Sequence, residues 1–180
     1  MTKPCPAVSV VLPVWNAAAT LPATLESLLA QTGADFEVLA VDDGSTDATP
    51  GILAAFAAQD ARIRAARIPH GGIVAALNHG LALARGRYIA RMDADDTCHP
   101  QRLALQCAYL DAHPHIGLVG CRVDFGGDRD RCGGYARHVD WVNTLLDPTD
   151  IALARFRESP FAHPSVMFRT ELPGPALRAM

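Results

Sequence analysis

The strongest constraint on this chain is a pattern met three times. A short apolar run stops abruptly at proline or acid, and a helix-period stripe follows. Residues 7–12 (AVSVVL) stop at Pro13, residues 36–41 (FEVLAV) at Asp42 and Asp43, and residues 88–92 (YIARM) at Asp93, Asp95 and Asp96. Runs this short, apolar at nearly every position, predict strands buried on both faces, as in parallel sheets. Between and after them, apolar residues recur at helical spacing: Leu21, Leu25, Leu28 and Leu29; Ile52, Leu53 and Phe56; Ile73, Leu77 and Leu81; Leu103, Cys107 and Leu110. Repeated β-then-α units predict an α/β fold, a mainly parallel sheet with helices on both faces.

The punctuation agrees. Pro22 is tolerable in the first turn of a helix that Gly33 ends, and Gly44 supplies a turn before a helix that Ser45, Thr46 or Asp47 can cap. Residues 64–68 suit a short third strand. Ala76, Gly80 and Ala84 would let the third helix lie close to the sheet, and Arg85-Gly86 ends it. Pro100 opens a fourth helix that Pro114 stops. Residues 116–125 read as a strand, and residues 126–134 (GGDRDRCGG) as a charged, glycine-rich loop, the segment expected to be most mobile. Residues 141–157 read as helix broken near Pro148, and residues 166–169 as a last strand. The chain of 180 residues has no internal repeat and reads as a single domain.

Composition removes several function classes. A net charge of −3 gives no electrostatic case for binding nucleic acid. The sole lysine is Lys3, so neither a phosphate-loop lysine nor a Schiff-base lysine is available in the body of the chain. Five cysteines without a C-x-x-C spacing suggest neither zinc nor a disulfide framework, and point to reduced thiols in the cytosol. The run 8–14 is too short to span a membrane and lacks the flanks of a signal peptide.

Parallel strands align their C-terminal ends, so the loop of Pro13, Trp15 and Asn16, the Asp42-Asp43 pair and the Asp93–Asp96 acids are expected to converge on one crevice. Carboxylates packed so closely repel unless a cation lies between them, and an all-oxygen donor set suits Mg²⁺ or Mn²⁺. The competing reading is a polar turn or helix cap. Trp15 could stack on a nucleobase or belong to the core. Asp43 could accept a base N–H, or Asp42 and Asp43 could only shape their turn. Three other site types fit poorly. A dinucleotide fold needs G-x-G-x-x-G after its first strand, where this chain has Pro-Val-Trp-Asn. Asp93–Thr97 matches a phosphatase D-x-D-x-T literally, but such a motif ends a first strand and works with a downstream lysine. A phosphoacceptor receiver domain also lacks its lysine here.

Taken together, VSVVLPVWN, SLLAQT, VLAVDDGSTDAT, HGGIVAALNHGLALARGRYIARMDADD and Pro100 resemble the family 2 glycosyltransferases of GT-A fold. The match runs in order over residues 8–119 and more loosely to HPSVMFR at 163–169. The resemblance implies transfer of a sugar from a nucleotide-sugar, often a UDP-sugar, with inversion, on an acceptor that is a glycan, lipid or protein. It implies a cytoplasmic protein, peripheral at the inner membrane face, working in cell-envelope polysaccharide synthesis. Trp15 falls where the family often has an aromatic over the base, and Asp43 at the base-reading position. Asp93 and Asp95 fall on the D-x-D positions, with Asp95 matching the metal ligand and Asp96 extending the motif. Pro13, Asn16 and Asp42 complete the donor-side set. The family's general base usually lies in an acidic motif beyond the HPSVMFR-like strand, where Glu171 is the sole acid of this sequence. The expectation is therefore a C-terminally shortened chain, with a donor-binding core over 7–125 and a partial acceptor side over 126–180. The alternative is a silent nucleotide-sugar-binding module lacking its base. His163 resembles a histidine that in some members ligates metal or touches the diphosphate. Its other reading is a corner fixed by Pro160 and Pro164.

Overall fold

The computed structural model describes residues 5–171, so Lys3 lies outside the described residues. The order is β1 (Val8–Val14), α1 (Leu21–Leu29), β2 (Phe36–Asp42), α2 (Thr49–Gln59), β3 (Ile63–Arg67), α3 (Ile73–Leu83), β4 (Tyr88–Arg91) and α4 (Arg102–Ala112). Then come β5 (Leu118–Val119), α5 (Gly133–Val142), α6 (Pro148–Ala154), a 3₁₀ turn (His163–Ser165) and β6 (Met167–Arg169). The strands form one sheet in the order β3-β2-β1-β4-β6-β5. Strand β1 runs parallel to β2 and β4, and β2 parallel to β3, while β6 is antiparallel to both β4 and β5. The sheet is thus mixed and mostly parallel, with helices on both faces.

From β1 the chain steps outward to β2 and β3, then returns to lay β4 on the other side of β1. Right-handed crossovers place α1 and α2 on one face, and α3, whose connection runs the opposite way, on the other. The period-two alternation of β1 feeds both layers. Val8, Val10 and Leu12 pack with Leu21, Leu25, Leu28 and Leu53, whereas Val11 packs with Leu39 and Ile89 beneath Leu77 and Leu81. On α3 the small residues face the sheet: Ala76 and Gly80 are buried, and a Cβ on Gly80 would lie 2.6 Å from Val11 Cγ1. Leu77 and Leu81 flank that contact, and Ile73, expected on the apolar face, stands exposed. The close approach of backbone to strand leaves no room beneath for a large side chain.

Strand β1 continues through Pro13, which pairs with Val41. Met92 donates to the Val11 carbonyl and Asp43 to that of Val14, so alternate residues of β1 serve β4 and β2. Pro13 falls on the β4 side, beyond Arg91, the last paired residue of that strand, so its missing N–H leaves no ladder partner unsatisfied. The expected strand over 116–125 reduces to Leu118–Val119. Its partner β6 offers only three residues, and farther on the Asn143 amide takes the place of a strand. Val123 N–H donates to Asn143 Oδ1 at 3.0 Å, and Asn143 Nδ2 donates to Val123 O at 2.7 Å. Helix α5 opens inside the segment read as loop, with Arg129 forked onto Asp140 at 2.9 and 3.0 Å. The break near Pro148 occurs as expected: Asp147 caps α6 by accepting from Thr149 N–H, with Pro148 in its first turn.

Below α3 the sheet buries an anion. Glu37 accepts from Ser9 Oγ at 2.8 Å, Arg64 at 2.8 Å and Arg85 at 2.6 Å, and Ser9 Oγ in turn accepts from the Arg85 and Gly86 N–H groups. Burial alone would raise the Glu37 carboxyl, but the hydrogen bonds from Arg85, Arg64 and Ser9 outweigh it and hold the group at about 2 against an ordinary 4.5. A depressed acid contributes its full stabilisation above pH 4.5 and loses it as pH falls towards 2. Glu37→Gln should cost about 1–3 kcal/mol at neutral pH. It should also flatten the decline of stability between pH 4.5 and 2. Urea melts of both proteins across that range check this; parallel pH profiles would show that the Glu37 cluster does not govern acid stability.

Candidate functional site

At the C-terminal edge of the sheet the β1–α1 and β2–α2 loops are stitched together. Asn16 takes a positive φ of 48°, which asparagine tolerates better than most residues. Its N–H donates to Ser45 Oγ at 2.9 Å and its Oδ1 accepts from Thr46 N–H at 2.8 Å. The Ala17 and Ala18 N–H groups, in the turn before α1, donate to Thr49 Oγ1 and Asp47 Oδ2. Asp42 turns away from the edge: buried, it accepts from Ser45 N–H at 2.9 Å. Its Oδ2 lies 3.4 Å from Arg67 Nε, close enough for an ion pair but without hydrogen-bond geometry. Asp42 shapes the turn.

Asp43 faces the other way. Its buried carboxylate accepts from Gly71 N–H at 2.8 Å and Gly72 N–H at 2.9 Å, the two amides that lead into α3. The Gly71 hydrogen bond, assisted by that of Gly72 and by His70, holds the Asp43 carboxyl below its usual range despite burial. His70 Nδ1 lies 2.9 Å from Asp43 Oδ2 and 3.0 Å from the Asp43 carbonyl oxygen. Both are acceptors, so Nδ1 carries the proton. The imidazole also stacks on Trp15, with centroids 4.9 Å apart and planes 22° apart. Between these loops lies Gly44, at φ 73°, where a Cβ would meet His70 N at 2.8 Å.

The acidic end of β4 forms the opposite wall. Arg91 forks onto Asp93 at 3.1 and 3.3 Å. The Ala94 carbonyl accepts from Thr20 Oγ1 at 2.8 Å and Thr24 Oγ1 at 3.0 Å, which fixes the loop to the first turn of α1. Asp95 is exposed and makes no hydrogen bond or ion pair to any described residue. Asp96 is half-buried, and burial together with Asp95 and Asp93 raises its carboxyl above the usual range. Behind the loop, buried Arg102 donates to the Arg91 carbonyl at 2.9 Å, and Gln106 to that of Ser165 at 2.8 Å.

These walls enclose a cavity of about 570 Å³ lined by Pro13, Trp15, Asn16, Asp43, Asp93 and Asp95, among others. Asp42 and His163 are not in its lining; His163 opens the 3₁₀ turn, with Nε2 3.2 Å from Ser159 Oγ, and Glu171 is exposed just past β6. The cavity also takes in His70, Thr20 and Ile73, which the sequence reading left out. Strand β3 is parallel to its neighbours, so the rule that gathers the other loops also places the His70 loop on this edge. Among the described residues, no lysine or arginine lines the cavity. Among the described residues, no group of three or more His, Cys, Asp or Glu side chains is arranged to hold a metal ion, and no helix is long and apolar enough to cross a membrane.

A mostly parallel sheet with a cavity at its strand ends is common to many ligand-binding α/β domains, and likeness to known proteins makes this one a GT-A domain of the glycosyltransferase type. The sequence pattern of Glycosyl transferase family 2 matches residues 9–172, and the chain belongs to that family. EpsE of Bacillus subtilis is 34% identical over 170 residues, covering 91% of this chain and 56% of EpsE. Succinoglycan biosynthesis protein ExoO of Rhizobium meliloti is 43% identical over 108 residues, covering 59% of this chain and 30% of ExoO. Among solved structures, residues 1–349 of S. aureus TarS in complex with UDP-GlcNAc superpose with a TM-score of 0.62 at 27% identity, covering 67% of this chain and 36% of that fragment. The fold also matches the Pyrobaculum calidifontis mannosyltransferase PcManGT, with a TM-score of 0.65 at 24% identity, over 93% of this chain and 45% of that one. The chain spans about half the length of EpsE.

The Asp43 bonds make a direct prediction. Asp43→Asn turns one acceptor into a donor facing a backbone N–H, and should destabilise the fold by about 1–3 kcal/mol. A urea midpoint equal to wild type would show that Gly71 and Gly72 do not depend on this carboxylate.

Proposed function

We propose that the cavity binds a nucleoside-diphospho-sugar, a UDP-sugar in the first instance, and that the protein transfers its sugar, with inversion, to a glycan, lipid or protein acceptor. One observation carries the reading: the cavity sets an aromatic ring and a buried carboxylate at one end and an open, acidic loop at the other. Trp15 stacks on the base, and Asp43, kept anionic by Gly71, Gly72 and His70, accepts a base N–H on its remaining lone pairs. Pro13 and Asn16 shape the floor beneath the nucleoside. The relation to TarS, a protein seen with UDP and with UDP-GlcNAc, supports uridine as the base. ExoO, a succinoglycan biosynthesis protein, and the mycobacterial PGL/p-HBAD biosynthesis glycosyltransferases support a role in the assembly of a sugar-containing product.

The diphosphate needs counter-charge, and the protein offers little. Among the described residues, no basic side chain but His70 lines the cavity, and the amides of Ala17, Ala18, Gly71 and Gly72 are already bonded to protein oxygens. The open carboxylate of Asp95 fits a divalent cation, Mg²⁺ or Mn²⁺, because such ions are commonly held by one or two carboxylates plus substrate phosphates. Asp95 would hold it, with Asp93, hydrogen-bonded by Arg91, as the second oxygen donor. Bound there, the cation supplies Lewis-acid stabilisation to the departing nucleoside diphosphate. Ile73 and Trp15, both exposed on the cavity lining, provide apolar surface for the donor to cover.

Calorimetry with UDP should show tighter binding with Mn²⁺ than with EDTA, and Asp95→Asn should erase that difference without lowering the Tm. Equal affinity in both conditions would remove the cation from the site. Trp15→Ala should weaken UDP binding by about 1–3 kcal/mol. In a Trp141→Phe background the sole remaining tryptophan is Trp15, and its fluorescence should change on adding UDP. A spectrum unmoved at saturation would separate Trp15 from the base.

A further inference from the structure

We infer that His70 is a positioning residue: it fixes the Trp15 indole in the attitude from which it receives the base, and so sets nucleoside affinity. The inference rests on the nucleotide reading above and adds a residue to it. Trp15 is 54% exposed and projects from a loop, so little of the core restrains it. Its recorded ring contact is the face of His70, 4.9 Å away and nearly parallel. His70 is in turn restrained at three points. Its Nδ1–H donates to the Asp43 carbonyl oxygen at 3.0 Å, and the same nitrogen lies 2.9 Å from the Asp43 carboxylate. Its backbone rests on Gly44, where any Cβ would meet the His70 nitrogen at 2.8 Å. The amides that follow it, Gly71 and Gly72, are tied to the same Asp43 carboxylate.

The buried carboxylate therefore orients an imidazole, and the imidazole orients an indole. A side chain on a loop keeps several rotamers in solution, and ordering it on binding costs affinity. Stacking on a ring already held in place removes part of that cost before the ligand arrives. The arrangement also leaves only one face of Trp15 open to the base, because His70 covers the other.

Three variants separate the ring from the hydrogen bond. His70→Phe keeps a flat ring over Trp15 and loses Nδ1, His70→Asn keeps a polar group and loses the ring, and His70→Ala loses both. Aromatic pairs of this kind contribute enough to change affinity by about 3–10-fold. His70→Ala and His70→Asn should weaken UDP and uridine by that factor alike, and should make the Trp15 emission of the Trp141→Phe protein more accessible to acrylamide. His70→Phe, which keeps the stacked ring but loses its tether to Asp43, should recover only part of both readouts relative to His70→Ala. Unaltered UDP affinity in His70→Ala and His70→Asn, with wild-type protein binding normally, would overturn the role of His70 alone. Failure of His70→Phe to recover any of what His70→Ala loses, at equal Tm, would overturn it as well. Wild-type protein that binds no UDP would overturn the nucleotide reading and this inference with it.

Discussion

Strand β1 lies between β2 and β4, parallel to both and covered on both faces, and the rest of the molecule is arranged by that position. A strand in the middle of a parallel sheet has no free ladder groups and no solvent face, so its residues are apolar on alternate sides. Val10 and Leu12 serve one core, and Val11 serves the other. Because the chain leaves β1 in one direction and returns on the other side, the loops after β1, β2, β3 and β4 meet over one edge. The cavity is a consequence of connectivity before it is a consequence of any individual side chain.

What occupies that edge is decided by where anions and amides are left over. Helix starts normally offer free N–H groups to a phosphate. Here Thr49, Asp47 and the Asp43 carboxylate take the amides leading into α1 and α3. The loops gain mutual rigidity from those four bonds. With no arginine or lysine in the lining among the described residues, the open side-chain charge belongs to the acidic loop after β4. That loop is held from behind and not from the cavity: Thr20 and Thr24 grip the Ala94 carbonyl, and Gln31 bonds His99 O at 2.7 Å and Leu103 N–H at 3.0 Å. Asp95 is thereby presented by a fixed frame while making no bond of its own.

Arg102 shows how the antiparallel part of the sheet supports the same loop. It is nearly buried, and it donates to the Arg91 carbonyl and, at 3.4 Å, to the Val166 carbonyl, joining β4 to the segment entering β6. A buried guanidinium is costly unless its donors are used. Here they meet two carbonyls, the Gln106 amide oxygen and the Met92 sulfur. The short strand β6 matters less for its own three residues than for fixing where β4 ends.

The sequence by itself determined the layered α/β architecture, because apolar periodicity and the punctuation by Pro, Gly and Asp are local properties that survive without any contact map. It also picked out Trp15, Asp43, Asp93 and Asp95, since parallel strands must end on one side. Spacing alone did not separate Asp42 from Asp43, and only the family resemblance set Asp43 at the base-reading position. Both are acids at a strand end, and only the pleat decides that one turns to Arg67 and the other to Gly71 and Gly72. The length of β5 was equally hidden, because a strand exists only where a partner is present and Asn143 replaces that partner beyond Val119. His70 escaped notice for the same reason: nothing in its local spacing marks it, and its contacts with Asp43 and Trp15 span 27 and 55 positions of the chain. Long-range pairing of side chains is a property of the packed molecule, and tertiary structure alone decided it.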